Sequence, residues 1–83
     1  MFYVYILEAA TTGKWYYGFT QRMEERLQEH NWNNGHFMDG KGPWTLIFKR
    51  SFYDKSEALL FEKLLKKTKN KTYLRRVYQE YFI

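Results

Sequence analysis

The sequence predicts a small α/β domain of the α+β type, with a three-stranded mixed β-sheet flanked by about three helices in the order β-β-α-β-α-α. Two aromatic segments, residues 2–7 and 15–20, are separated by turn residues and predict a β-hairpin. A third segment, residues 44–52, alternates apolar and polar side chains as a strand does. Helical patterns follow residues 20, 54 and 70, so we expect one domain over residues 1–83.

The predicted hairpin brings two phenols close together. Residues 2–7 are aromatic and β-branched, which favours an extended chain, and alternate side chains point to opposite faces. If the second segment pairs with the first, Tyr5 and Tyr16 can lie near each other, one from each strand. Two readings stay open at this point. The pair is either the start of a site or amphipathic packing, in which a tyrosine buries its ring and leaves its hydroxyl in water.

The composition limits how such a small domain can be stabilised. Cysteine is absent, so neither disulfides nor a thiolate zinc site can contribute, whereas aromatic residues make up 22% of the chain. The apolar run from Phe2 stops at Glu8 with no basic segment before it, so no secretory signal is predicted. No apolar stretch approaches the roughly 20 residues of a membrane span. We therefore predict a cytoplasmic location and no membrane partner.

Positive charge is concentrated in the second half of the chain. The formal net charge is +5, and every charged side chain between Lys63 and Arg76 is basic. Such a one-sided field suggests a polyanionic partner, with nucleic acid first, although a solvated lysine-rich helix face explains it equally well. The candidate nucleic-acid-binding residues are Lys63, Lys66, Lys67, Lys69, Lys71, Arg75 and Arg76.

A first helix is predicted over residues 21–31, with Thr20 as its cap. Arg26 and His30 are one turn apart and lie at the border of the thin apolar stripe of this helix. They could form a salt bridge and a satisfied histidine. Alternatively, they are a cationic pair directed into a cleft where a phosphate binds. A loop rich in glycine follows over residues 32–43.

The third strand is expected to reach the sheet by a crossover. Its apolar residues Trp44, Leu46, Phe48 and Phe52 are predicted to share one face. Because a helix separates it from the second strand, a short hairpin between the two is excluded. A parallel or crossover connection is expected instead, which would make the sheet mixed.

The second helix begins with a capping-box spacing, in which Asp54 is the cap and Glu57 follows three residues later. It runs to about Lys67, and Glu62 lies at the edge of its apolar face. That carboxylate either pairs with Lys66 one turn on or is directed toward a metal ion. The expected apolar face of this helix consists of Ala58, Leu60, Phe61, Leu64 and Leu65. A last helix is expected to carry the apolar residues from Tyr73 to Phe82.

These elements together resemble the GIY-YIG nuclease superfamily, in particular its small bacterial members that are described as predicted endonucleases. The first family motif resembles Tyr3-Val4-Tyr5 and the second resembles Tyr16-Tyr17-Gly18. The later spacing of Arg26, His30 and Glu62 is similar to that of the family, and the resemblance covers nearly the whole chain. Two positions depart from the family motifs, because Tyr3 replaces a glycine and Tyr17 replaces an isoleucine. The family often has an asparagine near the end of the domain, for which Asn70 is the nearest candidate.

The resemblance implies hydrolysis of a nucleic-acid phosphodiester, with DNA ahead of RNA, using one divalent cation, Mg²⁺ or Mn²⁺. Glu62 would be the metal ligand and Tyr5 would help to activate the attacking water. Arg26 would neutralise charge on the phosphate, while Tyr16 and His30 would orient the water or phosphate by hydrogen bonds. Gly18 would let the backbone turn closely beside the site.

Two other functions remain open from the residues alone. The chain could be a non-catalytic DNA- or RNA-binding module that uses the basic region from Lys63 to Arg76. It could also be a basic domain for protein contacts, in which the tyrosines serve packing only. A nuclease this small is further expected to depend on a protein partner for its specificity.

Overall fold

A computed structural model describes residues 1–25 and 44–83 of the chain. The strands are β1 (Phe2–Ala9), β2 (Trp15–Thr20) and β3 (Trp44–Phe52). The later helices are α1 (Lys55–Lys67), α2 (Lys71–Val77) and a 3₁₀ turn (Gln79–Tyr81). Residues 23–25 are helical and agree with the start of the helix predicted over 21–31. The rest of that helix, with Arg26, His30 and the predicted loop, lies outside the described residues. The observed order confirms the predicted α/β class.

The sheet has the strand order β2-β1-β3, and β1 runs antiparallel to both of its neighbours. The prediction of a mixed sheet is therefore wrong in this detail. The expected crossover connection is confirmed, since β2 and β3 run parallel to each other. They lie on opposite sides of β1, however, and form no hydrogen bonds with each other as strands. A parallel relation between two strands makes a mixed sheet only when they are hydrogen-bonded neighbours.

The two faces of the sheet carry separate clusters of buried residues. Val4 and Ile6 pack with buried residues of β3, α1 and α2 on one face, which we call the helix face. Tyr5 and Leu7 pack with Met23 and other residues on the opposite face, which we call the tyrosine face. The alternation predicted for the first strand is thus confirmed. All four of these β1 residues are at most 2% exposed, so β1 is the buried centre of the fold.

A β-bulge divides β3 into two halves that serve different faces. Ile6 pairs with Phe48 whereas the next residue, Leu7, pairs with Leu46, so Ile47 is an extra residue. As a result, Trp44 and Leu46 pack on the tyrosine face, but Phe48 packs on the helix face. The prediction that the apolar residues of this strand share one face is therefore wrong. The extra residue shifts the alternation by one position, and this exchanges the faces of all the residues beyond it.

Helix α1 covers the helix face with a narrow strip of its surface. Its cap is Asp54 as predicted, and the carboxylate Oδ1 accepts a hydrogen bond from the backbone N–H of Ser56 at 2.7 Å. Its buried residues are Ala58, Phe61 and Leu65. The predicted face also included Leu60 and Leu64, but these are 67% and 44% exposed. At about 100° per residue they lie on the far side of the helix from Ala58, where the sheet does not reach them.

The C-terminal segment closes over β3. Helix α2 begins at its cap Asn70, whose side chain accepts from the N–H of Tyr73, and it ends at Val77 rather than continuing to Phe82 as predicted. The 3₁₀ turn that follows redirects the chain, so that the N–H of Ile83 donates to the carbonyl of Ile47 at 2.9 Å. No helix within residues 1–25 or 44–83 is both long and apolar enough to cross a membrane.

Candidate active site

The two phenols predicted to approach each other do so on the tyrosine face. Tyr5 pairs with Gly18 and Tyr16 pairs with Leu7, which places both tyrosines on the same side of the hairpin. Their ring centroids are 6.5 Å apart with a 40° angle between the planes. Tyr16 also meets the Trp44 ring edge to face, with centroids 6.3 Å apart. The hairpin and the start of β3 therefore fix the orientation of the phenol pair.

Gly18 is required because the ring of Tyr5 occupies the space of a side chain there. A Cβ atom at Gly18 would overlap both Cζ and the hydroxyl oxygen of Tyr5. The phenol ring of Tyr5 therefore extends from β1 over β2, which is an outer strand of the described sheet, and its hydroxyl lies over Gly18. The resemblance to the family predicts that this glycine lets the backbone turn closely beside the site. In the structure it is a strand residue, and its role is to admit a side chain from the neighbouring strand.

Glu62 is carried by the helix on the other face of the sheet. The buried residues of α1 pack with Val4 and Ile6, whereas Tyr5 and Tyr16 belong to the tyrosine face. The carboxylate and the phenols are therefore not brought together over one surface. What separates them is the outer strand β2, so a shared site would have to lie at the edge of that strand.

Two observations show that the flank of α1 that carries Glu62 faces β2. Lys55, about 20° from Glu62 around the helix, lines a surface groove together with residues 19–22 at the end of β2. On the other flank, the Phe61 ring lies 6.1 Å from Phe48 and 5.5 Å from Phe52, both in β3. Adjacent residues 61 and 62 therefore point toward opposite edges of the sheet, as the step of about 100° per residue requires.

Along the helix axis, Glu62 is level with the middle of β2. Helix α1 starts beside Thr20, and α2 then reaches the opposite end of β2, where Lys71 Nζ donates to the carbonyl of Gly13 at 3.1 Å. Glu62 follows Lys55 by seven residues, so it lies about 10 Å farther along the axis of α1. The same distance along β2 from Thr20 ends near Tyr17, between Tyr16 and Gly18.

The surroundings of Glu62 suit a carboxylate that binds a hard cation. Its side chain is 18% exposed, and its ion-pair partner is Lys66 at 3.6 Å, as one of the two sequence readings predicted. In residues 1–25 and 44–83 no three acidic, histidine or cysteine side chains cluster in a way that could hold a metal. A single carboxylate fits Mg²⁺, which keeps several waters and takes one or two protein carboxylates. The donor chemistry at Glu62 therefore agrees with the predicted cation.

The predicted nucleic-acid-binding residues fall into two groups. On α2, Lys71 and Arg75 lie over the Trp15 ring, with the charged atoms 4.9 and 5.3 Å from its centroid. Arg75 also lies 5.0 Å from the centroid of Phe82, and Arg76 lies 5.8 Å from that of Tyr73. Lys71 and Arg75 therefore hold α2 against the hairpin and the C-terminal segment, whereas the contact of Arg76 lies within α2. The remaining residues of the set are exposed: Lys63, Lys66 and Lys67 lie in α1, and Lys69 lies between α1 and α2.

Two basic residues outside that set have clear roles in the structure. Arg50 lies among three rings, 4.8 Å from the centroid of Phe52 and 4.7 Å from those of Phe61 and Tyr81. Lys55 shares the flank of Glu62. The sequence signal that could have found Lys55 is its spacing of seven residues from Glu62, which is two helical turns.

Comparison with known proteins defines the class. The model of the GIY-YIG catalytic domain matches residues 1–75, and the chain belongs to the GIY-YIG family. The resemblance seen in the sequence is thereby confirmed. Membership of this family implies nuclease-type activity, and its nucleases generally use divalent metal ions.

Within this family, several UPF0213 proteins are similar to the chain. One from Halalkalibacterium halodurans is 38% identical over 61 residues, which are 72% of this chain and 64% of that protein. One from Sodalis glossinidius is 31% identical over 84 residues, covering 100% of this chain and 72% of that protein. The solution NMR structure of a UPF0213 protein from Bacillus halodurans has a TM-score of 0.59 and 32% identity, covering 95% of this chain and 85% of that one.

Proposed function

We propose that this chain is a metal-dependent endonuclease that hydrolyses phosphodiester bonds of nucleic acid, with DNA ahead of RNA as the substrate. The observation that carries the proposal is the arrangement at the edge of β2. The hydroxyl of Tyr5 lies over Gly18 on one side of this strand, and the flank of α1 with Glu62 faces it from the other. A scissile phosphate at this edge could be reached from both sides.

Each proposed role follows from the chemistry of the side chain. Mg²⁺ or Mn²⁺ bound at Glu62 would polarise the phosphate and stabilise charge on the leaving oxygen. Tyr5 would take part in proton transfer from the attacking water, for which its hydroxyl is fixed by the contact with Gly18. Tyr16 would orient the water or the phosphate by a hydrogen bond, since its ring is held 6.5 Å from that of Tyr5.

Two further roles come from the resemblance, because their residues lie outside the described part of the chain. Arg26 would neutralise charge that develops on the phosphate, and His30 would orient the phosphate or the water. The basic side chains of residues 63–76 would contribute a positive field that draws a polyanion to the same region. A cytoplasmic location and a protein partner that supplies specificity belong to the same proposal.

Cleavage assays with supercoiled, branched and single-stranded DNA in Mg²⁺ or Mn²⁺ test the proposal. Glu62→Gln and Tyr5→Phe should each lower the rate by at least about 100-fold, a typical loss for general acid–base or electrostatic groups. Glu57→Gln is the matched control, since it removes an exposed carboxylate from the same helix and should leave the rate unchanged. Cleavage that is equal in wild type and Glu62→Gln would reject the assignment.

The second candidate is a nucleic-acid-binding module without turnover, favoured by the exposed lysines of α1. It predicts binding that weakens steeply with salt and that requires neither Glu62 nor a divalent cation. Absence of cleavage on every substrate with every cation, together with such binding, would select this candidate over the first.

A further inference from the structure

We infer that one flank of α1 is a strip that binds the phosphate backbone of nucleic acid, formed by Lys55, Lys63 and Lys66 beside Glu62. This inference deepens the proposed function, because it supplies the surface that would lead a strand across Glu62. It adds Lys55 to the basic residues considered so far and separates the lysines of α1 from the cations of α2.

The three lysines lie on one side of the helix. At about 100° per residue, Glu62, Lys55, Lys66 and Lys63 follow one another within about 100° of arc. All three lysines are exposed. Lys55 and Lys66 are eleven residues apart, or about 16 Å along the axis. That length corresponds to roughly five base-pair steps of a B-form duplex, so the strip can meet more than one phosphate.

The charge around the strip favours an anionic partner. Among the described carboxylates near this flank, Asp54 caps α1 and Glu25 pairs with Arg22 at 2.9 Å, so both already have partners within the chain. Glu62 is the carboxylate on the strip itself, and Lys66 holds it only loosely at 3.6 Å. Lys63, Lys66 and Glu62 belong to one open patch on the surface of α1, together with Leu59 and Leu60. A cation at Glu62 would release Lys66 to contact a phosphate.

The cations of α2 are already committed within the chain. Lys71 donates to the carbonyl of Gly13 and lies over Trp15, while Arg75 lies between Trp15 and Phe82. Turning either of them toward a phosphate would forfeit contacts worth roughly 0.5–1 kcal/mol each. Among residues 1–25 and 44–83, the one such contact of the strip lysines is the weak pair of Lys66, whose side chain is 55% exposed. We therefore expect the affinity for nucleic acid to depend more on the strip than on α2.

The test measures binding without metal, so that it does not depend on catalysis. Fluorescence anisotropy of a labelled 20-base-pair duplex is recorded in chelator over a range of salt concentrations. The strip variant carries Lys55→Gln, Lys63→Gln and Lys66→Gln, and the matched control on α2 carries Lys71→Gln, Arg75→Gln and Arg76→Gln. Both remove three positive charges, and thermal melting of each variant verifies that it folds.

The strip variant should bind on the order of 100-fold more weakly near 0.1 M salt, and its salt slope should fall by about 2.7, from 0.9 per lost contact. The control should change the slope by less than about one. Equal losses in both variants, or no binding by the wild type, would overturn the inference. So would an acidic peptide that binds as tightly with the same dependence on the strip, because the partner would then be a protein.

The outcomes for the strip and for the endonuclease can be told apart. Strip-dependent binding by a protein that never cleaves DNA would support the strip and reject the enzymatic proposal. Cleavage that requires Glu62 but is equally sensitive to both charge variants would support the enzyme and reject the strip.

Discussion

The close approach of Tyr5 to Gly18 predicts a large effect from a single methyl group. Gly18→Ala would place a Cβ where Cζ and the hydroxyl oxygen of Tyr5 now lie. An exposed side chain would simply turn away, but Tyr5 is only 2% exposed and is enclosed by its neighbours. The ring must therefore leave its rotamer or push the two strands apart.

The expected cost is the difference between two opposing quantities. Overpacking of a buried site typically costs about 1–3 kcal/mol. Replacement of a strand glycine by alanine returns about 0.5–1 kcal/mol, because the unfolded chain loses freedom. The glycine does not have a positive φ, so no backbone strain is added. The net loss in the free energy of unfolding is then about 0–2.5 kcal/mol, and each kcal/mol lowers Tm by roughly 4–8 °C in a domain of this size.

A double-mutant cycle isolates the contact. Urea unfolding is measured for wild type, Gly18→Ala, Tyr5→Leu and the double variant. Because leucine lacks the distal ring atoms, Gly18→Ala should be neutral or slightly stabilising in the Tyr5→Leu background. An equal loss in both backgrounds would refute the reasoning, since the cost would then have nothing to do with the ring.

Three other predictions follow from separate contacts. Arg50→Met should lower the free energy of unfolding by about 1–2 kcal/mol in urea titrations, because the guanidinium lies over three rings, and Lys49→Met should cost less than half of that. Asp54→Ala should cost about 0.5–2 kcal/mol by the same measurement, whereas Asp54→Ser should retain most of the stability, because serine also caps. Burial raises the pKa of Tyr17 above its usual value near 10, so the folded chain holds this proton more tightly. This stabilisation is complete below about pH 10 and is lost as the pH rises through the folded-state pKa, and Tyr17→Phe should flatten the fall seen in alkaline unfolding curves.

The parts of the fold that depend on local sequence were predictable. The alternation of β1 assigned its residues to the correct faces, because no irregularity interrupts their pairing with β2. The cap at Asp54 was predictable because its partner is two residues away. The approach of Tyr5 to Tyr16 followed from the length of the hairpin alone. Each of these features needs only neighbours along the chain or across one short turn.

The features that depend on distant partners were missed. The packing of the whole sheet decides whether β3 pairs with β1 or with β2. The residues of β3 alone therefore do not indicate the antiparallel arrangement. The periodicity of α1 showed which residues are apolar, but not how wide a strip the sheet covers, which is why Leu60 and Leu64 were misplaced. For the same reason the sequence could name Glu62 as a candidate ligand without showing that its helix lies across β2 from the phenols.

The extra residue in β3 serves the C-terminal segment rather than the pairing with β1. Since Ile47 has no partner in β1, deleting it would leave Leu46 paired with Leu7 and Phe48 paired with Ile6, so Trp44 would stay on the tyrosine face in contact with Tyr16. The carbonyl of Ile47, however, accepts a hydrogen bond from the N–H of Ile83, so the same deletion would remove this contact between β3 and the C-terminal residue. A one-residue gap at this position in an aligned relative would therefore mark a protein that keeps the Trp44 contact beside its phenols but holds its C-terminal segment in a different way.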